Sequence, residues 1–356
     1  MKQALARAEA FCAAFGLRLP ILLAPMAGAC PPALSAAVAN AGGLGACGAL
    51  LMQPQAIADW AEKFRAASNG GFQMNLWVPD PPPRRDEANE AALREFLGQW
   101  GPAVPPEAGN ATPPDFTMQC EAIFTARPTA ISSMMGLFLA DFVARLKEAG
   151  IKWLATVTTV AEAREAAAAG ADALIAQGAE AGGHRGAFAA NEAERAAIGL
   201  FTLLPAVCDV VDIPVIAAGG IADARTIAAA LLLGASAVQI GTGFLRAPEA
   251  GIAPAWADAL ATAQPEDTML TRAFSGRTGR GLATKYVRSA ATSEAPPPAP
   301  YPVQRGLTQA MRDVATRNND ISRMQAWAGQ SARLAPARPA GEIAARWWDE
   351  ARQLLG

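Results

Sequence analysis

The chain has 356 residues, 52% of them hydrophobic and 17% charged. That composition excludes a disordered chain and supplies a full core without staples. Lys+Arg 30 against Asp+Glu 32 leaves a net charge of −2 with no basic block, which argues against a nucleic-acid surface. Five scattered cysteines, Cys12, Cys30, Cys47, Cys120 and Cys208, form no CxxC pair and read as buried small hydrophobes in a reducing compartment.

Residues 1–20 read as a short amphipathic helix leading into the first strand. Arg7, Glu9 and Arg18 interrupt the region where a signal peptide needs an unbroken apolar run. No stretch reaches the roughly 18 apolar residues that span a bilayer. The expectation is a cytoplasmic protein that engages neither membrane nor nucleic acid.

Eight apolar runs of strand length then alternate with Ala-rich helical patterns. They are Ile21–Met26, Leu44–Leu50, Phe72–Val78, Thr129–Met135, Ile151–Val157, Ala173–Gln177, Pro214–Ala218 and Ala237–Gly241. Runs without polar alternation suit parallel strands covered by helices on the outside. Ala41-Gly42, Ala149-Gly150, Ala169-Gly170 and Leu233-Gly234 each end a helical pattern just before a strand, where Gly suits a helix C-cap. The segments starting at Ala169 and Leu233 are near copies, about two β/α units apart. Eight such units favour a closed (β/α)8 TIM barrel over an open doubly wound sheet.

Two stretches break the rhythm. Residues 79–114 are rich in Pro around a helical pattern at Asp86–Trp100, and read as an insertion after the third strand. Ser293–Pro302 is a second Pro-rich stretch, followed by Gly306–Gly356, a helical appendage with Trp327, Trp347 and Trp348. The expected organisation is barrel over 1–78, insertion over 79–114, barrel again over 115–292, and linker plus packed helical segment over 293–356.

Barrel enzymes do their chemistry at the carboxyl ends of the strands. The first run ends in Ala24-Pro25-Met26, and the third carries Asn75 among apolar neighbours. The sixth runs into Gln177-Gly-Ala-Glu-Ala-Gly-Gly-His-Arg-Gly186. The seventh ends in Gly219-Gly220 before a helix starting near Asp223, and the eighth in Gln239-Ile240-Gly241-Thr242. Glycines let backbone N–H groups approach an anion, and a helix N-terminus adds a favourable dipole. Two such ends on adjacent strands point to a phosphate-bearing ligand. Asn75, Gln177 and Gln239 add amides suited to a flat, heteroatom-rich ring, so a flavin mononucleotide fits better than a sugar phosphate.

His184 is the only histidine in the chain. In a flexible glycine loop at a barrel mouth it suits proton transfer near neutral pH. Glu180 and Arg185 read as a loop-bracing ion pair. One histidine, with no carboxylate cluster or thiolate pair, leaves nothing to hold a metal ion.

These residues resemble the nitronate monooxygenase family, long called 2-nitropropane dioxygenases. The matching pieces are Pro20–Gly28, Ala39–Gly45, Gln177–Gly186, Pro214–Ile221, Gln239–Thr242, Phe274-Ser-Gly-Arg277, Tyr301-Pro302 and Trp327-Ala-Gly-Gln330. The resemblance implies an FMN-dependent barrel enzyme that oxidises alkyl nitronates with O2 to a carbonyl compound and nitrite, without nicotinamide. It implies that Ala24, Pro25, Met26, Asn75, Gln177, Gly182 and Gly183 meet the flavin. It places Gly219, Gly220, Gln239, Ile240, Gly241 and Thr242 around the ribityl phosphate, and His184 as the catalytic residue. Neutral nitroalkanes as substrates and a homodimer are left open. The chain departs from many relatives at Gly243, where they carry Arg, in having only two tyrosines (Tyr286 and Tyr301), and in a Met-rich fourth strand end, Ser132–Gly136. The runner-up is an FMN-dependent, NAD(P)H-using enoyl-acyl-carrier-protein reductase-like enzyme. A non-catalytic flavin-binding barrel is a third reading, which His184 argues against.

Overall fold

The computed structural model describes residues Met1–Gly356. Eleven strands occur in chain order: β1 Ile21–Leu23, β2 Gly45–Gly48, β3 Phe72–Trp77, β4 Ala130–Met134, β5 Lys152–Val157, β6 Ala173–Gln177, β7 Gly183–His184, β8 Val215–Ala218, β9 Ala237–Ile240, β10 Thr268–Thr271 and β11 Gly279–Leu282. Eight of them, one from each apolar run of the sequence, pair in the parallel order β1-β9-β8-β6-β5-β4-β3-β2. The ends meet where Leu23 N donates to Leu44 O at 2.9 Å and Leu44 N to Ile21 O at 3.0 Å. The sheet is therefore a (β/α)8 barrel, with the intervening helices packed outside it.

Strand alternation sends one set of side chains inward and the other toward the helices. The inward set is apolar at the bottom: Leu22, Leu154, Ile175 and Ile216 form one cluster with Phe11 and Phe15 of the N-terminal helix Lys2–Phe15. The two Phe rings stack at 4.3 Å and plug the amino-terminal end of the barrel. Higher up the interior turns polar, with Gln73, Asn75, Ser132, Thr156, Gln177 and Gln239 all buried. Gln73 Nε2 ties this layer together, donating to Leu23 O at 3.0 Å and to Gln239 Oε1 at 2.9 Å.

Segments outside the barrel meet over its mouth. Leu93 and Leu97 of the helix Glu87–Gly98 share a cluster with Phe274, Tyr286, Val303, Leu307 and Met311. Asp80 pairs with Arg277, Oδ1 to Nη2, at 2.6 Å. The last helix, Ala340–Leu355, lies against the helices Pro32–Ala41 and Ala224–Leu232, with Trp347 packed on Phe244 at 5.4 Å. That tryptophan explains Gly243: a Cβ there would lie 2.8 Å from the Trp347 ring and 2.9 Å from Ile240, so the position has no room for an arginine.

The plug at the barrel bottom gives a stability test. Phe11 is 1% exposed. Phe11→Ala removes half of the stacked pair and leaves a cavity under the barrel, at a cost of about 3–5 kcal/mol. Urea unfolding followed by circular dichroism should show a lowered midpoint at an unchanged slope.

Candidate active site

The carboxyl ends of the barrel strands open into one cavity of about 830 Å³, toward the upper end of the roughly 300–1,000 Å³ usual for ligand sites. Ala24, Pro25, Met26, Asn75, Gln177, Gly182, Gly183, His184, Gly219, Gly220, Gln239, Gly241 and Thr242 all line it. Ile240 does not. Alternation along β9 turns Gln239 inward and Ile240 outward, where it is 1% exposed within the main core cluster.

The glycine ends of β8 and β9 leave backbone donors free. The N–H groups of Gly219, Gly220 and Gly241 donate to no backbone carbonyl. Gly219 and Gly220 adopt φ of +106° and +70°, which L side chains rarely take. The following helix, Ala224–Leu232, is capped by Asp223, which accepts from Thr226 N at 2.9 Å. Free N–H groups ahead of a capped helix form an anion cradle.

The amides divide into engaged and available groups. Gln177 is engaged at both ends: Nε2 donates to His184 O at 3.0 Å, and Oε1 accepts from Gly186 N at 2.8 Å. It ties the loop with one N–H of Nε2 and one lone pair of Oε1, and its second N–H remains. Asn75 Nδ2 donates to Ser132 O and Oγ, both at 3.1 Å, which leaves Oδ1 available. Gln239 accepts from Gln73, which leaves its Nε2 available. Gly182 is small for a packing reason, because a Cβ there would lie 2.4 Å from Gly329 N. A Cβ added at Gly183 would meet nothing within 4 Å. Thr242 Oγ1 accepts from Gly329 N at 3.0 Å.

His184 does not sit in a flexible loop. Gly183 and His184 form β7, which pairs antiparallel with β11, His184 opposite Gly279. Arg185 N adds a bond to Thr278 O at 2.9 Å. The imidazole lies edge-on between Trp77, centroids 4.6 Å apart, and Trp327, at 4.9 Å. Its Nε2 is 2.7 Å from Ser275 Oγ. Burial, then the positive field of Arg305, Arg277 and Arg312, pulls its pKa down to about 3. The ring is therefore neutral at pH 7, not poised near neutrality. Ser275 Oγ has one proton to give, to His184 Nε2 or to Arg277 O at 3.2 Å. That choice sets whether Nδ1 carries a lone pair or a proton.

The expected Glu180–Arg185 ion pair does not form, although both residues brace the loop. Arg185 donates to Gln177 O at 3.1 Å and to Gly178 O at 2.6 Å. Glu180 accepts from Leu200 N at 2.9 Å, at the start of the helix Leu200–Cys208. Each finds nearby backbone groups instead of the other.

Several residues at the mouth carry no role in the sequence reading: Trp77, Ser275, Tyr301, Arg305 and Trp327. All line the same cavity as His184. Trp77 ends β3, one residue before the end of the third apolar run, so reading every strand end residue by residue finds it. The others come from later in the chain, and only the motifs around Ser275, Tyr301 and Trp327 mark their segments.

A closed barrel with an anion cradle on its last two strands, free amide groups inside and one histidine over them defines a flavin-dependent oxidoreductase of the TIM-barrel class. The comparisons agree. The nitronate monooxygenase family model matches residues 9–348. A probable nitronate monooxygenase of Staphylococcus aureus is 34% identical over 342 residues, covering 95% of this chain and 96% of that protein. Among solved structures, a nitroalkane oxidase from Streptomyces ansochromogenes superposes with a TM-score of 0.86 at 36% identity, covering 96% of this chain and 98% of that one. FabK from Thermotoga maritima follows with a TM-score of 0.76 at 29% identity, covering 97% and 96%. The chain belongs to the nitronate monooxygenase family. It is a flavin-dependent oxidoreductase of the nitronate-oxidising kind, and the reductase reading has the lesser support. No helix is long and apolar enough to cross a membrane.

The cradle gives the second test. Gly220→Val forces a branched residue into a left-handed backbone beside the free N–H groups. The variant should fold, with a far-ultraviolet dichroism spectrum like wild type, and should purify with little bound flavin. Full flavin absorbance in the folded variant would place the anion cradle elsewhere.

Proposed function

We propose that the flavin is FMN, that O2 is the oxidant, and that the substrate taken up is the anionic nitronate, released as a carbonyl compound and nitrite. One observation carries the reading: His184, Arg305 and Arg312 share a cavity with the free backbone N–H groups of Gly219, Gly220 and Gly241. The cradle suits a phosphate monoester. The cationic side suits a small anion placed over the ring.

The residues present fit FMN. The free N–H groups of Gly219, Gly220 and Gly241 are donors for its phosphate. Asn75 Oδ1 and Gln239 Nε2 are the amide groups left for the edge of its ring. FMN supplies the electron acceptor that couples the nitronate to O2.

The protein's own part follows from the depressed pKa of His184. Efficient general bases have pKa values near the working pH. A group whose conjugate acid titrates at about 3 is a poor acceptor for the α-proton of a neutral nitroalkane. A nitronate has already lost that proton and needs only to be held. With the Ser275 proton given to Nε2, Nδ1 carries the ring proton, and, having no partner in the protein, donates it in a hydrogen bond to the substrate. Trp77 and Trp327 flank the ring and cover part of it, which strengthens the charge interactions there.

Anaerobic mixing tests the reading. An alkyl nitronate alone should bleach the flavin, air should restore its colour with release of nitrite, and NADPH alone should do nothing on the same timescale. Rapid bleaching by NADPH with none by nitronate would contradict it and favour the reductase.

His184→Asn tests the role of the ring. Losing one hydrogen bond to a charged group should lower kcat/KM for the nitronate about 10–100-fold, with flavin content unchanged. A much larger loss on the neutral nitroalkane than on its nitronate would instead make His184 a base.

A further inference from the structure

Three guanidinium groups depress the pKa of His184, and their surroundings differ. Arg277 is committed to Asp80 and to Ala187 O. Arg312 donates to Thr308, Gln325, Gln309 and the carbonyl of Arg305. Arg305 lies on the short helix Val303–Leu307, and its side chain forms no salt bridge and donates no hydrogen bond within the protein. It is only partly exposed and lines the cavity that holds His184. Asp313 also lines the cavity, but it accepts from Gln309 Nε2 at 2.7 Å and makes no ion pair with Arg305.

A partly desolvated guanidinium with five donors and no acceptor is costly unless a ligand supplies an anion. The planar fork of an arginine matches a planar two-oxygen anion in a bidentate way. The nitronate group, with two oxygens on one nitrogen, is such an anion. We propose that Arg305 binds the nitronate oxygens and so sets the preference for the charged nitronate over the neutral nitroalkane. The assignment rests on the nitronate reading of the site. It makes Arg305 a specificity-determining residue rather than a structural cation.

The test uses the flavin-loaded enzyme, with nitrate as an inert planar anion. Arg305→Gln should raise KM for an alkyl nitronate about 10–100-fold, the loss expected for a charge-assisted pair, with kcat changed by only a few-fold. KM for the parent neutral nitroalkane should stay unchanged. Calorimetric nitrate binding should be lost in Arg305→Gln and partly kept in Arg305→Lys, which retains charge without the fork. A wild-type measurement needs no variant: phenylglyoxal should modify Arg305, as read by peptide mass spectrometry, and nitrate should slow that modification. Unchanged nitronate KM and nitrate affinity in Arg305→Gln, or modification of Arg305 indifferent to nitrate, would overturn the proposal while leaving the nitronate reading standing. Nitrate binding through Arg305 in an enzyme that turns over no nitronate would do the reverse.

Discussion

The site depends on holding one half-buried imidazole in the cavity wall beside positive charge. His184 is enclosed by Trp77 and Trp327, held through Nε2 at Ser275 and faced by cations, so its protonated form is strongly disfavoured. A neutral ring in a positive field is poorly suited to pulling a proton from a neutral molecule and well suited to receiving an anion.

That environment is assembled from distant parts of the chain. Trp77 comes from the end of β3. Ser275 comes from the loop before β11, whose pairing with β7 orients the histidine backbone. Trp327 comes from the C-terminal segment, which is anchored by Gly329 N on Thr242 Oγ1 and by Gln330 N on Glu180 O. Asp80, at the start of the proline-rich segment, holds Arg277. The close approach of Gly329 to Gly182 requires both to lack a side chain. The pieces added to the barrel therefore build the catalytic mouth rather than decorate it.

The barrel was legible because its strands are buried on both faces, which writes each one as a continuous apolar run. The free N–H groups at the ends of β8 and β9 were legible because two glycine sites fall at the carboxyl ends of adjacent strands. Ile240 entered the candidate site because the motif was carried over as a block, when alternation turns its side chain into the core. The state of His184 was not legible. A glycine-rich segment looks flexible until its partner strand is known, and β11 lies about 95 residues further on. Of the cations that depress its pKa, Arg277 sits just before β11, and Arg305 and Arg312 lie later still. Gln177 has a second task that its own segment does not show: it ties the loop at His184 O and Gly186 N while lining the cavity.

The central claim is the neutral state of His184, and the chain makes it directly measurable because it has only one histidine. The enzyme, labelled with nitrogen-15 in histidine, gives a single imidazole pair whose shifts report protonation and tautomer. With the pKa at about 3, those shifts should remain those of a neutral ring from pH 8 to pH 5, and their pattern should show which nitrogen holds the proton. A titration with a midpoint near the ordinary value of about 6.5 would contradict the account, because the ring would then be wet, chargeable and fit to act as a base.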